Sequence, residues 1–474
     1  MTTRSSCTSI LIGKKASADG SVMIGRNEDS KASWPKHLLV HPAVNGTTAT
    51  QFVSKDTGVS FELPARALQY SATPEWTDQY GLFEEDGINS AGVAMSATES
   101  AYANPRVLGF DPFVEHGINE ECMVTVVLPY VDSARAGVAW LGKLIETHGT
   151  GEANGILFAD KDEAWYMEVL TGHHWVAQRI PDDAYAVVAN QLSIQNVDFD
   201  SADFMFDADL QDFARRNHLW NGGDFNSRQI FGTDSQEDRM YNTPRVWYGH
   251  RMFSASSAQT ETPVASDLPF IMHADRPLQL EDATAFLSAH YQDTPYDPAA
   301  RIPDATNAHR FRPIAIAKTQ ESHVLQLRQD LPAAIANIHW LAMGVPAESQ
   351  FVPFFAGMTD TPEDYKRGAL PANLDSAYWQ YKLAGVLLDA HFQHFLPALN
   401  NVQDEVHAKL IAHIAATDEA AAKVDNYDDL AALATEASAV AAAISKSEWQ
   451  KFTMQLLAQS TDFSPLNFKT DANL

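Results

Sequence analysis

The first thirty residues contain two short apolar runs with a turn signal between them. The runs cover Thr8–Ile12 and residues 21–25, and Asp19-Gly20 lies in the loop that joins them. Short apolar runs bounded by turn residues predict strands, and an Asp-Gly pair between two such runs indicates a hairpin. We therefore predict that Cys7 opens the first strand and that residues 25–29, Gly-Arg-Asn-Glu-Asp, return beside it.

The next part of the chain predicts a buried strand followed by a helix. Residues 87–98 contain turn residues and then small and apolar ones, which suit a closely packed strand. Further along, apolar residues recur at helical spacing between Asp132-Ser133 and Gly149. We expect Asp132 or Ser133 to cap this helix and Gly149 to end it.

A series of strands follows the helix. Four strand-like segments cover residues 155–160, 164–170, 173–180 and 184–190, and short polar turns separate them. Such connections predict a meander of mostly antiparallel strands. A further strand pair is predicted at residues 312–318 and 323–329. Strands on both sides of the helical segments favour an α+β fold over alternating βαβ units.

The last hundred residues have a different pattern. From about Asp375, apolar residues follow helical spacing and lead into an alanine-rich stretch that reaches Trp449. Residues 359–375 are rich in proline, glycine and charge, which predicts a boundary before a helical C-terminal region. The same segment equally suits a surface loop within one domain.

Charge and composition exclude several classes of protein. The 474 residues carry a formal net charge of -28, and this field repels nucleic acid and anionic membrane surfaces. No apolar run approaches the roughly 18 residues of a membrane span, and the N-terminal run is too short for a signal peptide. We therefore expect a cytoplasmic protein without nucleic-acid or membrane partners.

Neither the cysteines nor the histidines form a metal pattern. Cys7 and Cys122 are the two cysteines, too few for a disulfide framework, and Cys122 lies in an apolar run typical of the core. The histidine pairs 173–174 and 391–394 have no further ligands nearby in the sequence. We predict no metal and no cofactor.

Cys7 is the remaining candidate for chemistry. If the six residues before it were removed, its new α-amino group and its thiol would have pKa values near ~8 and ~8.5. One residue would then supply both nucleophile and base. Arg26 could lower the thiol pKa, and Asp29 could orient the ammonium. The alternative is an incidental cysteine near a surface Arg-Asp pair.

The segment CTSILIGKKASADGSVMIGRNEDS resembles the amino terminus of the C69 family dipeptidases, of the dipeptidase A type. Similar landmarks continue in order to about residue 365, among them GINSAGVAMSATES, VLPYVDSARAGVAWLGKLIE and YNTPRVWY. The resemblance implies an N-terminal nucleophile (Ntn) hydrolase, an αββα four-layer sandwich with a helical C-terminal extension. Its expected parts are a propeptide at residues 1–6, a catalytic domain at 7–370 and a helical region at 371–474.

The resemblance also implies roles for individual residues. The GRNED segment is more distantly similar to the G-R-N-x-D of bile salt hydrolases and penicillin V acylases, which implies the same roles for Arg26 and Asp29. Asn190 resembles the asparagine that stabilises the oxyanion. Arg245 lies where those acylases have an arginine near the nucleophile; the alternative is a structural, carboxylate-paired arginine.

A dipeptidase must recognise both a free ammonium and a free carboxylate. We infer Glu99 as the partner of the ammonium, the alternative being a surface glutamate, and Arg245 is the candidate for the carboxylate. The sequence thus predicts a cysteine dipeptidase that exposes Cys7 by cleaving the Ser6-Cys7 bond. The alternatives are an acylase of N-acyl amino acids and a non-catalytic protein like the secernins. Side-chain preference and assembly into a homo-oligomer stay open.

Overall fold

Two large antiparallel sheets organise residues 7–463, the part of the chain that this computed structural model describes. Elements are numbered in chain order. The seven-stranded sheet has the order β16 (Ile271–Met272), β14 (Tyr185–Val188), β1 (Thr8–Ile12), β2 (Val22–Asp29), β17 (Thr319–Leu327), β18 (Asn337–Met343) and β19 (Val352–Phe355). The six-stranded sheet has the order β15 (Phe204–Phe206), β13 (Trp175–Ile180), β12 (Ala164–Val169), β11 (Ala153–Ala159), β10 (Ala94–Ala101) and β9 (Asp86–Ile88).

Short strand pairs and helices surround these sheets. The pairs are β3 (Leu39–His41) with β8 (Tyr70–Ala72), β4 (Val44–Asn45) with β7 (Arg66–Ala67), and β5 (Thr50–Val53) with β6 (Ser60–Leu63). The helices are α1 (Pro105–Leu108), α2 (Glu120–Val127), α3 (Ala134–His148), α4 (Leu210–Arg216), α5 (Ser227–Phe231), α6 (Gln236–Tyr241), α7 (Thr243–Phe253), α8 (Leu280–Leu287), α9 (Ala333–Ala336), α10 (Ala377–Asp389), α11 (Phe392–Ala421) and α12 (Tyr427–Ser460).

Buried apolar residues arrange these elements in four layers. Alternate residues of a strand face opposite sides of its sheet, so each sheet can bury both faces. Leu11 and Ile24 of one sheet meet Leu157 and Val176 of the other in a shared apolar layer. Helices α2 and α3 cover the outer face of the six-stranded sheet. Helices α7, α8, α11 and α12 cover the outer face of the seven-stranded sheet, which completes a helix–sheet–sheet–helix arrangement.

The N-terminal hairpin forms as predicted, but its second strand is longer than expected. Strand β1 begins directly after Cys7, and Ser9 lies opposite Arg26. Strand β2 continues to Asp29, and all eight of its residues are buried. The sequence pattern does not predict that β2 continues through Arg-Asn-Glu-Asp, because a buried strand ordinarily has apolar side chains. The polar part of β2 therefore lies inside the protein.

Two strand predictions need correction. The segment 184–190 leaves the meander, since β14 pairs with β1 in the other sheet. Residues 312–318 form a loop rather than a strand, because Ala315 N–H donates to the Ala289 carbonyl and Thr319 N–H closes a turn onto Ile316. Strand β17 instead pairs with β2 and β18.

The predicted helix and its two ends are confirmed. Ser133 is the cap of α3, and its hydroxyl accepts a hydrogen bond from Ala136 N at 3.2 Å. Gly149 follows the helix with φ of 71°, a conformation that favours glycine. The segment 87–98 contributes β9, a turn and most of β10, so it forms a strand pair rather than one strand.

The C-terminal region is helical, as predicted, and packs on the edge of the seven-stranded sheet. Trp449 of α12 and Tyr381 of α10 share a buried cluster with Leu341 and Phe354 of β18 and β19. The Ser438 hydroxyl of α12 also accepts a hydrogen bond from Phe355 N at 3.0 Å, which covers part of an edge strand. The division at residue 370 stays a prediction, but these helices share their core with the sheet.

None of the helices between residues 7 and 463 is both long enough and apolar enough to cross a membrane.

Truncating Trp449 should destabilise the fold through this shared core. The Trp449→Ala substitution empties a buried site on α12, and we expect it to cost about 3–5 kcal/mol of unfolding free energy. Urea unfolding followed by far-UV circular dichroism measures the loss. Leu457→Ala, at an exposed position of the same helix, should cost less than about 1 kcal/mol. Equal, small losses for both variants would contradict the packing described.

Candidate active site

Cys7 lies at one end of the layer between the two sheets. Strand β1 holds the residue after it, and pairing of β1 with β2 brings Arg26 alongside. Only 4% of the Cys7 surface is exposed. The thiol therefore occupies an enclosed environment that is bordered by residues of both sheets.

The Arg26 guanidinium contacts the thiol and joins the two sheets. Its Nη1 donates to Cys7 Sγ at 3.4 Å and to the Thr98 carbonyl at 3.0 Å. Its Nε donates to Ser96 Oγ at 2.9 Å, and its Nη2 pairs with Glu85 Oε2 at 2.8 Å. With its side chain fully buried, Arg26 holds a fixed positive charge against the sulfur.

The groups around the Cys7 thiol shift its pKa in opposite directions. Burial raises the pKa of the Cys7 thiol well above its ordinary value, while Arg26 acts to lower it. The nearby carboxylates of Glu99, Glu120 and Asp29 add to the increase. In this structure the thiol is therefore protonated at neutral pH, although Arg26 favours the thiolate.

Asp29 lies at the end of β2 and does not pair with Arg26. Its carboxylate accepts hydrogen bonds from Thr319 Oγ1 at 2.5 Å and from the Arg312 guanidinium. Arg312 also donates to Thr8 Oγ1 at 3.4 Å, which brings this ion pair next to the residue that follows Cys7. Because Arg26 and Asp29 are both buried and have separate partners, the surface Arg-Asp pair considered above is not formed.

Asn190 and Arg245 form a second group of polar contacts at Cys7. Arg245 Nη1 donates to the Cys7 carbonyl and, at 2.9 Å, to Thr8 Oγ1. Its Nη2 donates to Asn190 Oδ1 at 2.8 Å. Asn190 Nδ2 donates to the Ser100 carbonyl at 3.0 Å, which uses one of its two N–H groups. Arg245 thus orients an amide whose second N–H can serve a ligand.

Arg245 is itself an unusual cation. It is fully buried, and burial together with the neighbouring Arg312 lowers its pKa to about 10. Its hydrogen bonds between residues 7 and 463 go to carbonyl, hydroxyl and amide oxygens, not to a carboxylate. The alternative of a carboxylate-paired structural arginine therefore does not describe its contacts.

Glu99 is a buried residue rather than a surface glutamate. Its Oε2 accepts a hydrogen bond from Ser9 Oγ at 2.5 Å, whereas its Oε1 has no hydrogen-bond partner in the described part of the chain. Burial raises the pKa of Glu99 to about 7, while Arg245 and the Ser9 hydroxyl act in the opposite direction. A carboxylate of this kind can still bind a cation.

Several residues of the site have no signal in the sequence. Arg312 belongs to the segment that is predicted to be a strand, and only the loop brings its guanidinium to Asp29. Ser96 comes from β10 of the other sheet and Glu85 is the residue directly before β9, and both are far from Arg26 in the sequence. Asn242, which donates to the Asn190 carbonyl, lies in the YNTPR motif and could have been noticed there.

A buried group of charges lies behind Ser96. His323 Nε2 is 2.9 Å from Ser96 Oγ, and its Nδ1 is 2.5 Å from Asp86 Oδ2 and 3.0 Å from Glu321 Oε2. Burial alone would lower the pKa of His323, but Asp86 and Glu321 outweigh it and raise that pKa to about 9. The imidazolium compensates part of the negative charge of these two carboxylates.

The His323 ion pair predicts a pH-dependent stability. Because the folded-state pKa of about 9 exceeds the ordinary 6.5, its contribution is complete below pH 6.5 and is lost as the pH rises through 9. The difference in unfolding free energy between the wild type and His323→Gln should therefore decline over this range by a few kcal/mol. Urea titrations at several pH values measure it, with the exposed His273→Gln as a control. A constant difference would contradict the prediction.

Comparison with known proteins agrees with the sequence resemblance. The model of peptidase family C69 matches residues 6–405. A probable dipeptidase of Latilactobacillus sakei is 42% identical over 473 residues, which cover 99% of this chain and 98% of the relative. Dipeptidase A of Lactobacillus helveticus is 41% identical, and the match covers 82% of this chain and 82% of that relative. A dipeptidase of Bifidobacterium longum is 37% identical, and the match covers 88% of this chain and 84% of that relative. The chain belongs to peptidase family C69.

Proposed function

We propose that this protein is a dipeptidase in which Cys7, once it is the first residue, is the nucleophile of an Ntn hydrolase. The contact of the Arg26 guanidinium with Cys7 Sγ carries the proposal, because a fixed cation at a sulfur stabilises the thiolate. The names of the relatives support the dipeptidase activity. The four-layer arrangement is compatible with the Ntn-hydrolase fold that the sequence resemblance implies.

Activation requires cleavage of the Ser6-Cys7 bond. The Cys7 thiol would attack the Ser6 carbonyl carbon, the acyl group would move from nitrogen to sulfur, and water would release residues 1–6. These six residues lie outside the described part of the chain. The new α-amino group would lie beside Asp29, and once it has taken the thiol proton its positive charge would stabilise the thiolate. The buried, protonated thiol would thereby become an effective nucleophile.

The catalytic cycle then needs no separate histidine. The α-amino group takes the thiol proton, and the thiolate attacks the peptide carbonyl carbon. The second N–H of the Asn190 amide donates to the oxyanion, in the orientation that Arg245 holds. The C–N bond breaks as the α-ammonium protonates the leaving amine. Water then hydrolyses the thioester and restores the thiol.

Charged residues near Cys7 would recognise the two ends of a dipeptide. We assign Glu99 to the substrate ammonium. Arg245 would attract the substrate carboxylate through its charge alone, because its five N–H groups already donate to protein oxygens. In an acylase that binds apolar N-acyl groups, the substrate would not pair with buried charges of both signs, and burying such charges without partners is costly. The cytoplasmic location and any homo-oligomer stay predictions from the sequence.

Replacing Cys7 should abolish hydrolysis of dipeptides. We expect Cys7→Ala and Cys7→Ser to lose at least about 10³-fold in kcat, since the covalent step is lost. Hydrolysis of Ala-Ala, followed by release of free alanine, measures this. The matched control is Cys122→Ala, at the other buried thiol, which lies in α2. Retained activity in both Cys7 variants would contradict a cysteine nucleophile, and a wild type without any hydrolase activity would favour a secernin-like protein.

Intact-mass measurement tests the activation step. The active protein should lack residues 1–6, and Cys7→Ala should retain them because its side chain cannot attack the Ser6 carbonyl. N-terminal sequencing of the active form should begin at Cys7. A fully active protein that keeps Ser6 would contradict the proposed activation.

A further inference from the structure

Glu120, the first residue of α2, is linked to the Cys7 thiol through Thr98 and Arg26. Its Oε1 accepts a hydrogen bond from Thr98 N at 3.3 Å. The carbonyl of the same Thr98 accepts from Arg26 Nη1, which also contacts Cys7 Sγ. Glu120 is close enough to Cys7 to raise the pKa of the thiol. Its carboxylate therefore borders the space in which a substrate would meet the nucleophile.

A second carboxylate lies beside Glu120. Glu152 Oε1 accepts a hydrogen bond from Glu120 N at 2.9 Å, and both residues are partly exposed. Burial of its carboxyl group, followed by the charges of Glu85 and Glu152, raises the pKa of Glu120 to about 8. The raised pKa leaves this carboxyl group largely protonated in the free protein at neutral pH, and a cation that binds beside it favours the ionised form.

The pair has no cation of its own. Neither Glu120 nor Glu152 has a lysine, arginine or histidine nitrogen within 4.0 Å in the described ranges, whereas the buried Glu85 pairs with both Arg26 and Lys36. Acidic residues without partners are common on surfaces. Of the two, Glu120 is near enough to Cys7 to act on its pKa, and burial makes an uncompensated charge on Glu120 costly.

Buried polar groups near the pair also lack partners. Asn154, two residues after Glu152, is fully buried, and neither its amide nitrogen nor its oxygen has a partner in hydrogen-bonding geometry between residues 7 and 463. Its amide lies close enough to Glu152 to counteract the effect of burial on that carboxyl's pKa. The Thr98 hydroxyl is likewise buried and without a partner there. Buried polar groups are ordinarily hydrogen-bonded, so these atoms are available to the donors and acceptors of a substrate.

An α-ammonium supplies the positive charge and the hydrogen-bond donors that could pair with these carboxyl and amide groups. It carries one positive charge and three N–H donors, which suit a carboxylate pair and nearby amide or hydroxyl oxygens. In a peptide the terminal nitrogen is only about 2.5 Å from the carbonyl carbon of its residue. A substrate whose first carbonyl carbon reaches Cys7 Sγ therefore brings its ammonium next to the residues that surround the thiol.

We propose that Glu120, supported by Glu152 and Asn154, binds the α-ammonium of the substrate as a second carboxylate in addition to Glu99. The inference rests on the proposed function, because it assumes a peptide whose first carbonyl is attacked by Cys7. It makes a free N-terminus a requirement of the enzyme. Peptides with blocked amines would leave this carboxylate pair without a counter-charge.

The test compares Ala-Ala with N-propionyl-alanine, which is the same molecule without the α-amino group. In the full-length, processed wild type, Ala-Ala should have a kcat/KM at least about 10-fold higher, given the usual energies of hydrogen bonds to charged groups. Glu120→Gln should lower kcat/KM for Ala-Ala about 10- to 100-fold, mainly through KM. It should leave N-propionyl-alanine unchanged, measured as a substrate or as a competitive inhibitor.

Glu121→Gln is the matched control. Glu121 is the next residue of α2, but its carboxylate accepts hydrogen bonds from Ser54 and Lys55, away from Cys7. The control should keep the wild-type ratio between the two compounds. Thermal unfolding checks that both variants fold, and Glu152→Gln replaces Glu120→Gln if the latter does not.

The outcomes separate this inference from the proposed function. A wild type that hydrolyses Ala-Ala while Glu120→Gln keeps the same ratio would overturn the ammonium site and leave the dipeptidase proposal intact. Equal losses of kcat/KM on both compounds would mean that Glu120 acts on the Cys7 nucleophile, and would also overturn the ammonium site. A wild type that prefers N-propionyl-alanine would overturn the dipeptidase proposal itself in favour of an acylase.

Discussion

A guanidinium buried between two sheets is the interaction on which the rest of this site depends. Taking an arginine out of water is costly unless its N–H groups find acceptors. Arg26 of β2 finds them in Ser96 Oγ, the Thr98 carbonyl and Glu85 of the opposite layer, and in the sulfur of Cys7. The acceptors fix the spacing of the sheets at this point, and they hold the thiol in the same geometry.

The acceptors of Arg26 are themselves part of wider charge networks. Glu85 also pairs with the buried Lys36 at 3.4 Å, and Ser96 also contacts His323, which is held between Asp86 and Glu321. Buried cations and carboxylates thus neutralise one another across β2, β9, β10 and β17. Breaking one pair would leave another charge uncompensated, so the interior is both rigid and sensitive to substitution.

The charged side chains near Cys7 come from different helices and loops. Arg245 of α7 and Arg312 of the loop before β17 contact Thr8, the residue that follows Cys7, while Glu120, the first residue of α2, accepts a hydrogen bond from Thr98 of β10. Groups of both signs thus lie near Cys7, and they are the basis of the ammonium and carboxylate sites proposed above. The apolar layers behind them hold each element in place, including the C-terminal helices that cover the edge of the seven-stranded sheet.

The sequence by itself determined the elements whose pattern is local: strand β1, helix α3 with its two ends, the helical C-terminal region, and the family to which Cys7, Arg26 and Asp29 pointed. It did not determine that β2 continues through Arg-Asn-Glu-Asp, that β14 joins β1, or that residues 312–318 form a loop. The partners of Arg26 outside the N-terminal hairpin are 59–72 residues away, and Arg312 and Thr319, which bind Asp29, are 283–290 residues away from it. Only the tertiary structure decided these features, because a buried charge is tolerated through partners that no local pattern of apolar and polar residues contains.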